Sequence, residues 1–121
     1  MEVPRVDYDK LLNLSQGESS TVVQARVERA RERQLNRLAD YPGLFTNADM
    51  GASHVQQLCV LASDAKQLLD VSVRRMKLSA RAYHRVLKLS RTIADLDDKE
   101  VIEVHHVAEA VQYRSHQAAV G

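Results

Sequence analysis

The sequence predicts an all-α fold, a helical bundle of about four main helices with short ones between them. Apolar residues recur at three- and four-residue steps along most of the 121 residues, and no alternating strand pattern persists. Aromatic residues make up only 4% and Trp is absent, so the core must be built from Leu, Val, Ile and Ala. That favours helices packed closely through small side chains. Gly17 and the Pro42-Gly43 pair interrupt the periodic runs, as loops between helices should.

Taken in order, Glu2 to Asp7 reads as an extended end entering a loop, and Tyr8 to Leu12 as a short turn of helix. Ser19 or Ser20 caps a long helix to about Leu38, with Val23, Val27, Ala30, Gln34 and Leu38 on one narrow face. Arg26, Arg29, Arg33 and Arg37 share another face, partly offset by Glu28 and Glu32. Asp40 to Gly51 is a loop, pinned to the core by Leu44 and Phe45. A short helix from about Ser53 to Val60 precedes a longer one from Ser63 to Lys77, which buries Ala65, Leu68, Leu69, Ser72, Val73 and Met76. Ser79 caps the next helix, running to about Leu96 with Tyr83, Val86, Leu87, Ser90, Ile93 and Ala94 inward. Val101-Ile102 is an extended connector. The last helix spans about Val104 to Ser115 and buries Val104, Val107, Ala108 and Val111, leaving a frayed tail over residues 117–121.

The length fits one domain with a modest core. No apolar run approaches the roughly 20 residues of a membrane span, and no secretory leader opens the chain. The single Cys59 fits a reducing cytosol and a buried thiol.

Charge is segregated although the formal net charge is only +1. Between Asp70 and Asp95 there is no acid, but there are Arg74, Arg75, Lys77, Arg81, Arg85, Lys88 and Arg91. Asp95, Asp97, Asp98, Glu100, Glu103 and Glu109 then follow, with only Lys99 and Arg114 among them. A basic block of this kind points to an anionic partner.

Several chemistries are missing. There is no GxxxxGK[ST] phosphate loop, no Cys/His cluster at zinc spacing and no Ser/His/Asp or Cys/His set, so the chain alone is not expected to be an enzyme. His105 and His106 are neighbours pointing about 100° apart on a helix. They read as surface or helix-start residues rather than metal ligands, and no metal site is expected. Asp97, Asp98 and Glu100 read as a solvated turn rather than a cation site.

Arg81 falls in the first turn of the helix capped by Ser79, where a cation opposes the helix dipole by about 0.3–1 kcal/mol. A locally unfavourable residue at a helix start is where function is expected to override stability. A guanidinium beside free backbone N–H groups suits a phosphate. The plainer alternative is a pair with Asp70 or Glu109, or simple solvation. Arg85 and Lys88 read as a solvated face, and Arg91 pairs with Asp95 four residues on.

The run Leu78-Ser79-Ala80-Arg81-Ala82-Tyr83 through Leu96, with Ile102, His106 and Ala108 to Arg114, closely resembles the C-terminal domain of magnesium-chelatase-like AAA+ ATPases of the ComM/YifB group. That family's pattern is approximately LSARAYxRxLKxARTIADL followed by HxAEAxQYR. Ser90 replaces the usual Ala, and Asp98 stands where Gly is common. The helix carrying Arg26, Arg29, Arg33 and Arg37 resembles the family's first long helix, and Glu2-Val3-Pro4 the end of its last core strand. The resemblance covers essentially the whole chain.

It implies a helical lid over residues 19–116, joined through residues 1–18 to a preceding AAA+ core domain, in a longer cytoplasmic protein. Arg81 occupies the place of the sensor-2 arginine that faces ATP phosphates, with Arg85, Lys77 and Arg74 as supporting phosphate or polyanion contacts. ATP and Mg2+ belong to the parent protein. The implied partners are the core domain and the neighbouring subunits of a ring, typically hexameric, with DNA reached through the parent and no membrane. The alternative is a stand-alone helical nucleic-acid-binding module, in which the Ser63–Lys77 and Ser79–Leu96 helices form a helix-turn-helix-like pair, or a subunit-docking module with no ligand contact.

Overall fold

The computed structural model describes residues 20–120, with side chains to Arg114. Among these residues are five α-helices: α1 (Ser20–Arg37), α2 (Ala52–Leu58), α3 (Ser63–Met76), α4 (Ala80–Leu96) and α5 (Val104–Val120), with a 3-10 turn at Asn47–Asp49. Among the described residues the only extended pairing is an isolated parallel bridge between Leu61 and Ile102. The expected strand end at Glu2–Pro4 and helical turn at Tyr8–Leu12 lie outside the described residues.

α4 is the centre of the bundle. Its apolar stripe is the strongest in the chain, and it packs against α1, α2, α5 and the 3-10 turn, while α3 packs on α5. Val86, Leu87, Ile93 and Ala94 of α4 meet Val55, Cys59, Leu69, Ile102, Val107 and Ala110 in one core. Ala30 and Leu96 anchor a smaller cluster under Val23 and Val27, which holds the first half of α1. Ser90 and Ser72 sit inside helices at no hydrogen-bonding loss, because each hydroxyl donates to the carbonyl four residues back at 2.9 Å.

Each end of α4 is fixed by local chemistry. At its start the Ser79 hydroxyl accepts from the Ala82 N–H at 3.1 Å, the expected cap. Just before it, Lys77 closes α3 in the left-handed region (φ 53°, ψ 51°), a conformation that favours glycine. At the other end Asp98 takes the same region (φ 61°), and the Lys99 N–H reaches back to the Ala94 carbonyl at 2.9 Å. A left-handed position of this kind favours glycine. The connector 101–102 is extended as expected: Ile102 N–H donates to Val60 O and Ala62 N–H to Ile102 O, both at 2.9 Å.

Three packing expectations need correction. Phe45 is 61% exposed; Leu44, not Phe45, packs on the core, because the Asp49 carboxylate binds the Phe45 and Thr46 N–H groups and shapes the loop outward. Met76 is exposed, as the last residue of α3. Val104 is also exposed, and the buried position at the start of α5 belongs to His106. The last helix continues beyond Ser115 to Val120.

Candidate functional site

The basic block separates into two populations. Arg91, at 1% exposure, is consumed by the fold: its guanidinium donates to the Lys99 and Glu100 carbonyls, both at 2.6 Å, and lies 3.1 Å from Asp95. Burial pushes the Arg91 guanidinium below its ordinary value, and the Asp95 carboxylate pulls it back up. Asp95 is itself buried and takes a two-pronged contact from Arg37 (2.9 and 2.6 Å) and a third bond from Asn47 Nδ2 at 2.9 Å. Asn47 also donates to Thr92 Oγ1 at 3.0 Å and, through its backbone N–H, to Gln34 Oε1 at 2.8 Å. The expected Arg91–Asp95 pair is therefore present as part of a larger network.

Lys88 is not simply solvated. Its Nζ donates to the Ala48 and Met50 carbonyls, both at 3.2 Å, and ties the loop after the 3-10 turn to α4.

Arg81 and Arg85 behave differently. Both are exposed, and neither has a hydrogen-bond or ion-pair partner among the described residues. The expected alternative partner Asp70 pairs instead with Lys66, at 3.4 Å. α4 has no acid in its first turn. Arg81, His84, Arg85 and Lys88 line one side of a groove of about 340 Å3, with Met50, Gly51 and Ala52 as the opposite wall. The stagger along α4 follows from helical geometry: residues 81, 85 and 88 step along one face at about 6 and 10 Å from the first. The polar contacts of Asn47 and Lys88 hold the wall against the helix. The groove is cationic, is lined by no carboxylate, and suits a group bearing several negative charges. Lys77 and Arg74 are exposed but lie outside its lining.

The acidic block is largely answered from within. Arg33 reaches Asp98 at 2.9 Å and Glu100 at 3.7 Å from across the bundle. Asp97 receives His106 Nε2 at 2.9 Å and His105 Nε2 at 3.3 Å. Burial works against ionising Asp97, but these histidine contacts outweigh it and hold the carboxyl below its usual value.

Asp97, His105 and His106 are close enough to suggest a metal. The tautomer argues otherwise. His106 Nδ1 accepts the Glu103 N–H at 2.9 Å, so Nε2 carries the proton and donates to Asp97. His106 thus caps the start of α5 and ties it to the end of α4, the helix-start role expected from the sequence.

Cys59 is buried, and burial pushes its thiol up to about 11, so it is a packing residue at neutral pH. No helix among the described residues is long and apolar enough to cross a membrane. The helix-turn-helix pair of the alternative reading would join α3 and α4, whereas the extensive packing of α3 is on α5.

Residues 17–114 match the family model described as magnesium chelatase, subunit ChlI C-terminal. The chain is 40% identical over 99 residues to uncharacterized protein YifB of Escherichia coli, covering 82% of the chain and 19% of that protein. It is 36% identical over 116 residues to competence protein ComM of Haemophilus influenzae, covering 95% and 22%. The YifB protein of Salmonella typhimurium is 40% identical over 101 residues, covering 84% and 19%. The chain spans about a fifth of the length of these relatives. It belongs to the magnesium chelatase subunit ChlI C-terminal family, as a C-terminal domain of the ComM/YifB type.

Proposed function

We propose that this domain is the helical lid of a magnesium-chelatase-like AAA+ ATPase and that Arg81 is its sensor-2 arginine. The observation that carries the reading is an unpartnered guanidinium in the first turn of α4, opening on a cation-lined groove. Its chemistry fits the phosphates of ATP. The lining contains no carboxylate, so ligands for Mg2+ come from ATP and from the rest of the protein. ATP supplies the phosphoryl group whose hydrolysis drives the motor.

In this reading Arg81 binds the terminal phosphate and stabilises the charge that builds there, with Arg85 in support, while Lys77 and Arg74 stand outside the groove lining and take no part in it. Because α4 forms the centre of the core, a pull on Arg81 moves the bundle as one body. Nucleotide state thereby becomes an angle between lid and core, and between adjacent subunits. Residues 1–18 connect to the core, and residues 19–116 form the lid, in a cytoplasmic ring, typically hexameric. The likeness to ComM, a competence protein by name, supports a DNA-processing role for the whole protein.

The test is nucleotide titration of the full-length protein carrying Arg81→Ala or Arg81→Lys, using a fluorescent ATP analogue. Weakened binding with Ala and partial recovery with Lys are expected. Equal affinity in all three proteins refutes the assignment.

A further inference from the structure

Histidine is the side chain whose charge ordinarily changes between about pH 5 and 8, and the described histidines are used unequally. His54 Nδ1 accepts the Gly51 N–H at 3.1 Å, at the start of α2. His105 and His106 both reach Asp97, and His106 also takes the Glu103 N–H. His84 is committed to none of these tasks. It meets the Tyr83 ring edge-on, with centroids 5.3 Å apart, and neither of its nitrogens has a hydrogen-bond or ion-pair partner among the described residues.

Its place follows from spacing. Positions 81, 84, 85 and 88 fall at i, i+3, i+4 and i+7, a single stripe of α4, and all four line the groove. Along the helix axis His84 lies about 4.5 Å beyond Arg81 and about 1.5 Å before Arg85. It is half-buried, and the Tyr83 ring beside it packs on the core.

The charged groups around it on α4 are Arg81, Arg85 and Lys88. The opposite wall, Met50 to Ala52, carries none. In the 3-10 turn the Asp49 carboxylate is held by the Phe45 and Thr46 N–H groups, and at the start of α2 His54 is held by Gly51. Arg37 of α1 is committed to Asp95 at the far end of α4. No acid of α5, Glu109 included, pairs with His84 among the described residues.

We infer that His84 is a phosphate contact of the groove that acts as an imidazolium, so that binding a polyphosphate takes up a proton from solvent at its ring. This rests on the reading of the groove as the phosphate site. An anion within reach of the ring favours its charged form, and the lining holds no carboxylate to do so beforehand. Arginine and lysine keep their charge throughout the neutral range. Among the described lining residues His84 is therefore the one that ties affinity to pH near neutrality, and its proton returns to solvent when the phosphate leaves.

The experiment is calorimetric titration of the full-length protein with a non-hydrolysable ATP analogue, from about pH 6 to 8. Two buffers of different ionisation enthalpy report proton uptake. Wild type is compared with His84→Gln, His84→Asn and His54→Gln, since an amide side chain still hydrogen-bonds but does not titrate in this range. The analogue's own terminal phosphate titrates alike in all of them, so only differences from wild type count. Relative to either His84 variant, wild-type affinity is expected to rise about fivefold more from pH 8 to pH 6, as a one-unit rise on binding gives. The matching part of the proton uptake is expected to vanish in both His84 variants and to persist in His54→Gln.

Identical pH profiles and proton uptake in wild type and the two His84 variants overturn this inference and leave the groove reading standing. Uptake lost in His54→Gln but kept in the His84 variants also overturns it, and assigns the proton to the groove wall. Absence of analogue binding by wild type overturns the groove reading and this inference with it. Titration of Arg81→Ala reports separately on the sensor-2 reading.

Discussion

At the C-terminal end of α4, Asp95 is buried and bound by Arg37, Arg91 and Asn47; at its N-terminal end, Arg81 and Arg85 are exposed and bound by nothing among the described residues. The two ends also share a backbone feature. Each is flanked by a non-glycine residue at positive φ, Lys77 before the helix and Asp98 after it. Asp98 is held by Arg33 at 2.9 Å, but Lys77 has no such compensation among the described residues. The same helix thus spends its charged side chains on structure at one end and leaves them available at the other. Stability and ligand binding are expected to separate along α4 accordingly.

The largest effect should come from breaking the structural end. Asp95→Ala strands Arg91 and Arg37 without their carboxylate, and removing one partner of a buried pair costs roughly 3–5 kcal/mol. Urea unfolding of the domain should show that loss; a change below about 1 kcal/mol would mean the network contributes little. At the other end Ser79→Ala removes the α4 cap, for an expected loss of about 1 kcal/mol.

Glycine at the two positive-φ positions sharpens the contrast. Lys77→Gly should stabilise the domain by roughly 0.5–1 kcal/mol, since it relieves the backbone and breaks no described contact. Asp98→Gly gains similarly but gives up Arg33, and should come out near zero. Equal stabilisation by both would show that the Arg33–Asp98 pair contributes nothing.

Two carboxyls link acid sensitivity to the structural end and the loop. Asp97 is held below the ordinary carboxylate value of 3.8 by its histidine contacts despite burial, and Asp49 is held below it by the Phe45 and Thr46 N–H groups. Because the folded values are depressed, both contributions are present above the unfolded value and are lost as pH falls below about 3.8 and through the folded values. Asp49→Asn should therefore flatten the acid limb of a stability–pH curve, and an unchanged limb would contradict this.

Much of this division is legible in the sequence, for reasons that can be located. The helices follow from periodicity, the α4 start from Ser79, and the Arg91–Asp95 pair from i,i+4 spacing. The excess of unpaired positive charge near Arg81 is visible because no acid lies between Asp70 and Asp95. Less accessible is how the acidic block is neutralised. Arg37 and Asn47 meet Asp95 across 58 and 48 residues, a pairing no local rule reaches. Phe45 misleads because apolar character predicts burial, whereas its orientation is set by the Asp49 carboxylate. His106 displaces Val104 from the core because its two ring nitrogens can satisfy Glu103 and Asp97 while its carbons pack. The groove wall at Met50–Ala52 depends on Lys88 reaching two loop carbonyls, which sequence spacing does not reveal.

The most direct test of the separation is steady-state ATP hydrolysis by the full-length protein carrying Arg81→Ala, measured on assembled protein whose unfolding midpoint is recorded alongside. The expected result is a fall in turnover on the order of 10²-fold with the midpoint unchanged, as for loss of one preorganised donor to transition-state charge. Unchanged turnover, or a fall matched by a lower unfolding midpoint, would contradict the claim that this end of α4 is kept for a ligand rather than for the fold.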